Sequence, residues 1–190
     1  MFPAAPGSIY SLHVARHPKH RREFPITYTS ALVAVLAGIV HAGLAPTIVV
    51  AGVKPNFLLV AVVLVTTVLG FEAGILWAFV GGLVANLLIP EPLGSIPLSM
   101  LIVAAFVAGG GRVLGRLVWV YPVLAAFAAS ILADIVTLSV SRLVGSPLST
   151  GIPLELVLPA AALNAAICGL LLYPVRTLAV RYWLDETPAW

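Results

Sequence analysis

The chain has 190 residues, 61% of them hydrophobic and 9% charged, with a formal net charge of +3 and a mean hydropathy of +1.11. A soluble domain carries about 25% charged residues to face water, so this composition excludes a soluble globular protein and gives a polytopic membrane protein. The single Cys168 excludes an intrachain disulfide and a cysteine metal cluster, and basic residues gathered near the ends of apolar runs suit a lipid bilayer, not nucleic acid.

Residues 1–25 (MFPAAPGSIYSLHVARHPKHRREFP) are basic and precede an apolar stretch long enough to span. With no clear small-residue cleavage site, they read as a mobile cytosolic N-terminal tail and not as a signal peptide. A span needs about 20 apolar residues. Six candidates follow in order: 27–47, closed by Pro46; 54–70, opened by Pro55; 72–89; 94–111; 117–141; and 153–176. Their connections are short, which forces antiparallel neighbours. The expected fold is therefore all-α, a six-transmembrane-helix bundle over 26–180 with short loops, followed by a cytosolic C-terminal tail at 181–190.

Six spans put both termini on one side. That side then holds Arg16, Lys19, Arg21, Arg22, Arg112, Arg116, Arg176 and Arg181, and the other holds Lys54 and Arg142. The excess of Lys and Arg assigns both termini to the cytosol. Trp119, Tyr121, Tyr173, Tyr182 and Trp183 gather near the cytosolic ends of spans five and six, where an aromatic belt belongs.

The third span is odd for so apolar a chain. "GILWAFVGGLVANLLIPEPLG" (74–94) carries Gly74, Gly81 and Gly82, a lone amide at Asn86 and a proline-rich exit. On a helix Gly74, Ala78, Gly82 and Ala85 fall along one stripe. Such a small-residue face lets another backbone come close where lipid gives no hydrophobic drive for association. Ala34, Gly38 and Ala42 repeat the device in span one. Internal packing is the simpler reading for span three, whereas span one fits internal packing and partner docking equally.

Polar groups at membrane depth are few. Asn86 and Asn164 read as interhelical glue, and His41 as interfacial. Asp134 is expected to bond a hydroxyl or a neighbouring helix, the alternative being a proton relay. No phosphate loop, paired-histidine metal site, nucleophile–base set or intramembrane-protease motif occurs, so the expectation is no enzyme, no cofactor and no metal.

The order of elements from 54 to 116 resembles the bacterial MreD family. Pro55-Asn56 stands where that family opens its second span with Pro-Asp/Asn. Gly74, Ala78, Phe79, Gly82, Leu83 and Asn86 follow its GxxxGFxxGLxxD run, and Pro92-Leu93-Gly94 its turn. Asn164, Tyr173 and Arg176 match its last span. Two positions depart: Ala78 replaces a glycine, and Asn86 replaces an aspartate, which removes charge and keeps hydrogen bonding. The resemblance covers about 26–180.

The resemblance implies a non-catalytic scaffold of the cell-wall elongation machinery in the bacterial inner membrane. It would serve rod shape determination and peptidoglycan synthesis. The implied partners are a single-span MreC-like protein and, in a larger complex, RodA, a class B penicillin-binding transpeptidase and the MreB filament system. The fold is also similar to substrate-binding S-components of energy-coupling-factor vitamin transporters, which gives the alternative function. A vitamin subunit needs an outward-facing pocket with convergent polar and aromatic groups, yet the outer loops at 46–53, 90–93 and 142–152 hold no tryptophan.

Overall fold

The apolar runs fold as helices, and the boundaries of α2 and α3 fall where glycine, proline or a capping side chain stops the run. The computed structural model describes residues 23–50, 52–114, 117, 119–145 and 154–182. Six α-helices result: α1 (Glu23–Leu44), α2 (Phe57–Leu69), α3 (Phe71–Leu88), α4 (Ser95–Leu114), α5 (Tyr121–Leu143) and α6 (Leu154–Tyr182). Among the described residues the extended structure is one isolated bridge, Val50 to Val53.

Leu44 at the end of α1 accepts from both the backbone N–H (3.0 Å) and the hydroxyl (2.8 Å) of Thr47, which satisfies a carbonyl the helix leaves open. Asn56 caps α2, its side-chain oxygen accepting the Leu59 N–H at 3.0 Å. Between α2 and α3 stands one residue, Gly70, at φ +98. An L side chain resists that conformation, so glycine lets the chain reverse in one step. Pro122 sits in the first turn of α5, where its missing N–H costs nothing. Helix α6 runs on through Pro159 and Pro174.

Neighbouring helices alternate in direction. Thr66 meets Gly74, Gly82 meets Pro97 and Val107 meets Tyr121, each pairing a late residue of one helix with an early residue of the next, and between α5 and α6 the contacts run in opposite senses from Pro122–Cys168 to Ser130–Asn164. Helices α1 and α3 run parallel, with Ser30 against Trp77 and Ala34 against Gly81. The start of α1 and the end of α6 therefore lie at the same end of the bundle. Helix α2 is the central post, packing on all five others. Leu58, Leu59, Val60, Val62 and Val63 on it are at most 1% exposed.

The all-helical membrane bundle is as expected, but six spans is slightly high. Helices α3 to α6 are long and apolar enough to cross a membrane, whereas the apolar stretches Tyr28–Leu44 and Phe57–Leu69 are shorter. The physical reason is clearest at α2. Pro55 and the Asn56 cap fix its start and Gly70 fixes its end, leaving 13 residues. At about 1.5 Å per residue that is about 20 Å, less than the ~30 Å of hydrocarbon. Enclosure by the other helices removes the need to match the bilayer, because irregular backbone is tolerated at depth where protein buries it.

The N-terminal tail expected at 1–25 has residues 1–22 outside the described residues, and 23–25 already belong to α1. Of the C-terminal tail expected at 181–190, residues 181 and 182 end α6 and the remainder lies outside the described residues.

Candidate functional site

The small residues of α3 face three neighbours. A methyl group added at Gly82 would lie 2.7 Å from Cα of Pro97 in α4, and one at Gly81 would lie 3.1 Å from the Ala34 carbonyl oxygen of α1. A methyl at Gly38 would meet the Gly81 carbonyl oxygen at 2.6 Å, and one at Gly74 would collide with Thr66 of α2. Ala78 and Ala85 are fully buried between these contacts, and Ala34 is fully buried on α1, with Ala42 half-buried near its end. Both small-residue stripes are thus taken up inside the bundle, where backbones come together closely. Gly81, outside the stripe drawn from spacing, closes the α1–α3 seam. The Ser30 hydroxyl supports that seam by accepting the Trp77 indole N–H at 2.9 Å.

Asn86 explains the proline-rich exit of span three. Its side-chain oxygen accepts the Gly94 N–H at 2.6 Å, and its amide donates to the carbonyls of Pro92 (3.2 Å) and Glu91 (3.4 Å). One amide therefore satisfies three backbone groups of the turn, and an aspartate could accept but could not donate in its charged form. Gly94 takes φ +89 to close the turn. Within that turn burial pushes the Glu91 carboxyl above its ordinary range, with a hydrogen bond from Ser95 partly opposing the shift.

Asn164 makes the second junction. Its side-chain oxygen accepts the backbone N–H of Asn56 at 2.8 Å, and its amide donates to Ser130 at 2.8 Å. Helices α2, α5 and α6 meet on this residue, which is 2% exposed. Pro55, buried beside Asn56, supplies the helix start that aims that N–H. The pairing spans 108 positions of sequence, and Ser130 carried no local signal that could have found it. Likewise unforeseen, the Tyr121 hydroxyl donates to the Val107 carbonyl and ties α5 to α4.

Asp134 stays apart. It is half-buried on α5, and the expected bond to a hydroxyl or a neighbouring helix does not form among the described residues. His41 is near the end of α1 with a buried Nδ1 that has no hydrogen-bond partner among the described residues.

What the bundle offers outward is apolar. Phe71, Ile75, Phe79, Leu83 and Leu87 form an exposed row at every fourth position of α3, so Phe79 and Leu83 look outward while their glycine neighbours look in. Tyr173 on α6 is 67% exposed. An apolar groove of about 640 Å³ runs over α2 between α1 and α6, lined by Val33, Val40, Leu64, Leu171, Val175 and Leu178. No group of three or more metal-ligating side chains comes together among the described residues.

Residues 22–181 match the family model described as rod shape-determining protein MreD. The chain belongs to the MreD family. It is an integral membrane protein with a role in rod shape determination. No curated protein and no solved structure matches it. Membership places the two asparagine junctions in context: the Pro55-Asn56 opening, the Gly82–Asn86 run and Asn164 of an MreD-family chain each hold helices together here.

Proposed function

We propose that this MreD-family protein is a non-catalytic scaffold of the bacterial cell-wall elongation machinery, seated in the inner membrane with both termini in the cytosol. Its partner is a single-span MreC-like protein, and RodA and a class B penicillin-binding transpeptidase join through it. One observation carries this reading: Ser30, Asn86, Ser130 and Asn164 are spent on the bundle's own seams, while its outer helix faces present aliphatic and aromatic residues. Such a protein works by holding other helices, because association in lipid depends on packing. Among the described residues helix α1 packs on α3 and α2 alone and α6 on α5 and α2 alone, so the open flank lies at these two helices.

Co-purification in mild detergent tests the reading. Recovery of a single-span periplasmic coiled-coil protein is the expected result, and recovery of two ATPase subunits would point instead to an energy-coupling-factor vitamin transporter. Reporter fusions after Arg22 and after Trp190 should both give the cytosolic signal, as the clustering of Lys and Arg requires. Opposite signals would overturn the orientation.

Asp134 separates scaffolding from proton transport. Asp134→Asn keeps size and hydrogen-bonding capacity and removes the ionisable group. Since Asp134 takes no part in the helix seams, the variant should co-purify with its partner as the parent does and restore rod shape to a deletion strain. A variant that assembles normally yet leaves cells round would defeat the scaffold-only reading.

A further inference from the structure

We propose that the cavity at the end of the bundle where α1 begins and α6 ends is a binding site for a phosphate-bearing anion, held by Arg112 and Arg176. The cavity measures about 340 Å³ and is enclosed by the end of α2, the start of α3, the end of α4, the start of α5 and the last third of α6. Its polar lining among the described residues is Thr66, Thr67, Arg112, Tyr121 and Arg176, with no carboxylate among them.

The donors available are the two guanidinium groups. The Thr66 hydroxyl donates to the Val62 carbonyl at 2.6 Å, Thr67 donates to Val63 at 2.9 Å, and Tyr121 donates to Val107, so each hydroxyl proton is already committed. Neither arginine forms an ion pair among the described residues. Arg176 lies over the Trp119 ring with its central carbon 4.9 Å from the ring centre. That stacking holds one face of the guanidinium and leaves its N–H edge free for planar, bidentate bonds. Two like charges facing one partly enclosed space repel each other, and an anion between them relieves this. They stand on different helices, so they suit a ligand presenting oxygens in more than one direction. A phosphate does so, whereas a carboxylate is satisfied by one arginine fork.

The phosphate could come from an anionic lipid headgroup or from a soluble cytosolic species. Delipidated protein in mild detergent would be titrated with phosphatidylglycerol, with phosphatidylcholine as the lipid control, and bound lipid read by native mass spectrometry. A parallel titration with inorganic pyrophosphate would be read by calorimetry. Saturable binding of phosphatidylglycerol would identify the lipid source, and binding of pyrophosphate the soluble one. In either case Arg112→Gln/Arg176→Gln should weaken binding about tenfold or more, since charge-assisted hydrogen bonds are lost. Arg142→Gln, at the opposite end of the bundle, should leave it unchanged, and Arg112→Lys/Arg176→Lys should restore part of it. Arg112 is exposed, so Arg112→Gln alone carries the test should the double variant fail to fold. Binding of neither probe, or equal binding by parent and arginine variants, would overturn the proposal. The site does not depend on the scaffold reading, because co-purification of a partner and binding of these probes are separate measurements.

Discussion

Gly82→Leu is expected to leave little folded protein. The first side-chain carbon would lie 2.7 Å from Cα of Pro97 and 3.1 Å from its nitrogen. The obstacle is α4 backbone, so no rotamer change can clear it and α3 and α4 must separate. Overpacking a core costs about 1–3 kcal/mol when flexible side chains can yield, and moving a whole helix places this variant at or above the upper value. Against a typical total stability of about 5–15 kcal/mol, that loss is large. Gly43→Leu is the matched control, because a methyl group at Gly43 meets nothing within 4 Å. Both changes raise helix propensity alike, by nearly 1 kcal/mol, so the difference between them isolates the contact. Monodisperse yield and thermal midpoint in detergent measure it. If the two variants melt together, the α3–α4 approach is not as close as described.

The contrast between these glycines marks what the sequence makes legible. Hydropathy locates the apolar runs because lipid and core both select apolar side chains, and the chosen spans overlap all six helices. Hydropathy cannot tell a helix facing lipid from one enclosed by protein, which is why α2 looked like another span. Spacing likewise finds a stripe on α3 but not its neighbours: Gly81 and Gly82 are adjacent in sequence, yet one closes on α1 and the other on α4. Asn86 was visible as a lone amide, and its partners at 91, 92 and 94 lie a few residues away. The cavity of Arg112 and Arg176 was not visible. Its lining comes from five helices, and in a linear reading its arginines serve only to set orientation.

Asn164→Ala is expected to be the most damaging single truncation of a polar side chain in the bundle. An average interhelical hydrogen bond between membrane helices contributes only about 0.6 kcal/mol, so the pair count alone would predict little. The unequal alternatives of the two partners decide the matter. Ser130 is inside α5, and its hydroxyl can turn to the carbonyl one turn back along its own helix. The Asn56 N–H precedes the first turn of α2, follows buried Pro55 and makes no other hydrogen bond among the described residues. Loss of Asn164 strands it at a cost of about 1–3 kcal/mol, to which the vacated side-chain volume adds. Ser130→Ala should cost less, toward the lower end of that range, since it strands only the Asn164 amide donor and keeps the bond from Asn56. Asn164→Asp keeps the acceptor for Asn56 but removes the donor and buries an ionisable carboxyl, so it should cost more than Ser130→Ala. Unfolding of the three variants in detergent, followed by helical signal, gives the order directly. Equal losses for Ser130→Ala and Asn164→Ala would mean that the bond to Asn56 carries no share of the stability, and that α2 owes its place to apolar packing alone.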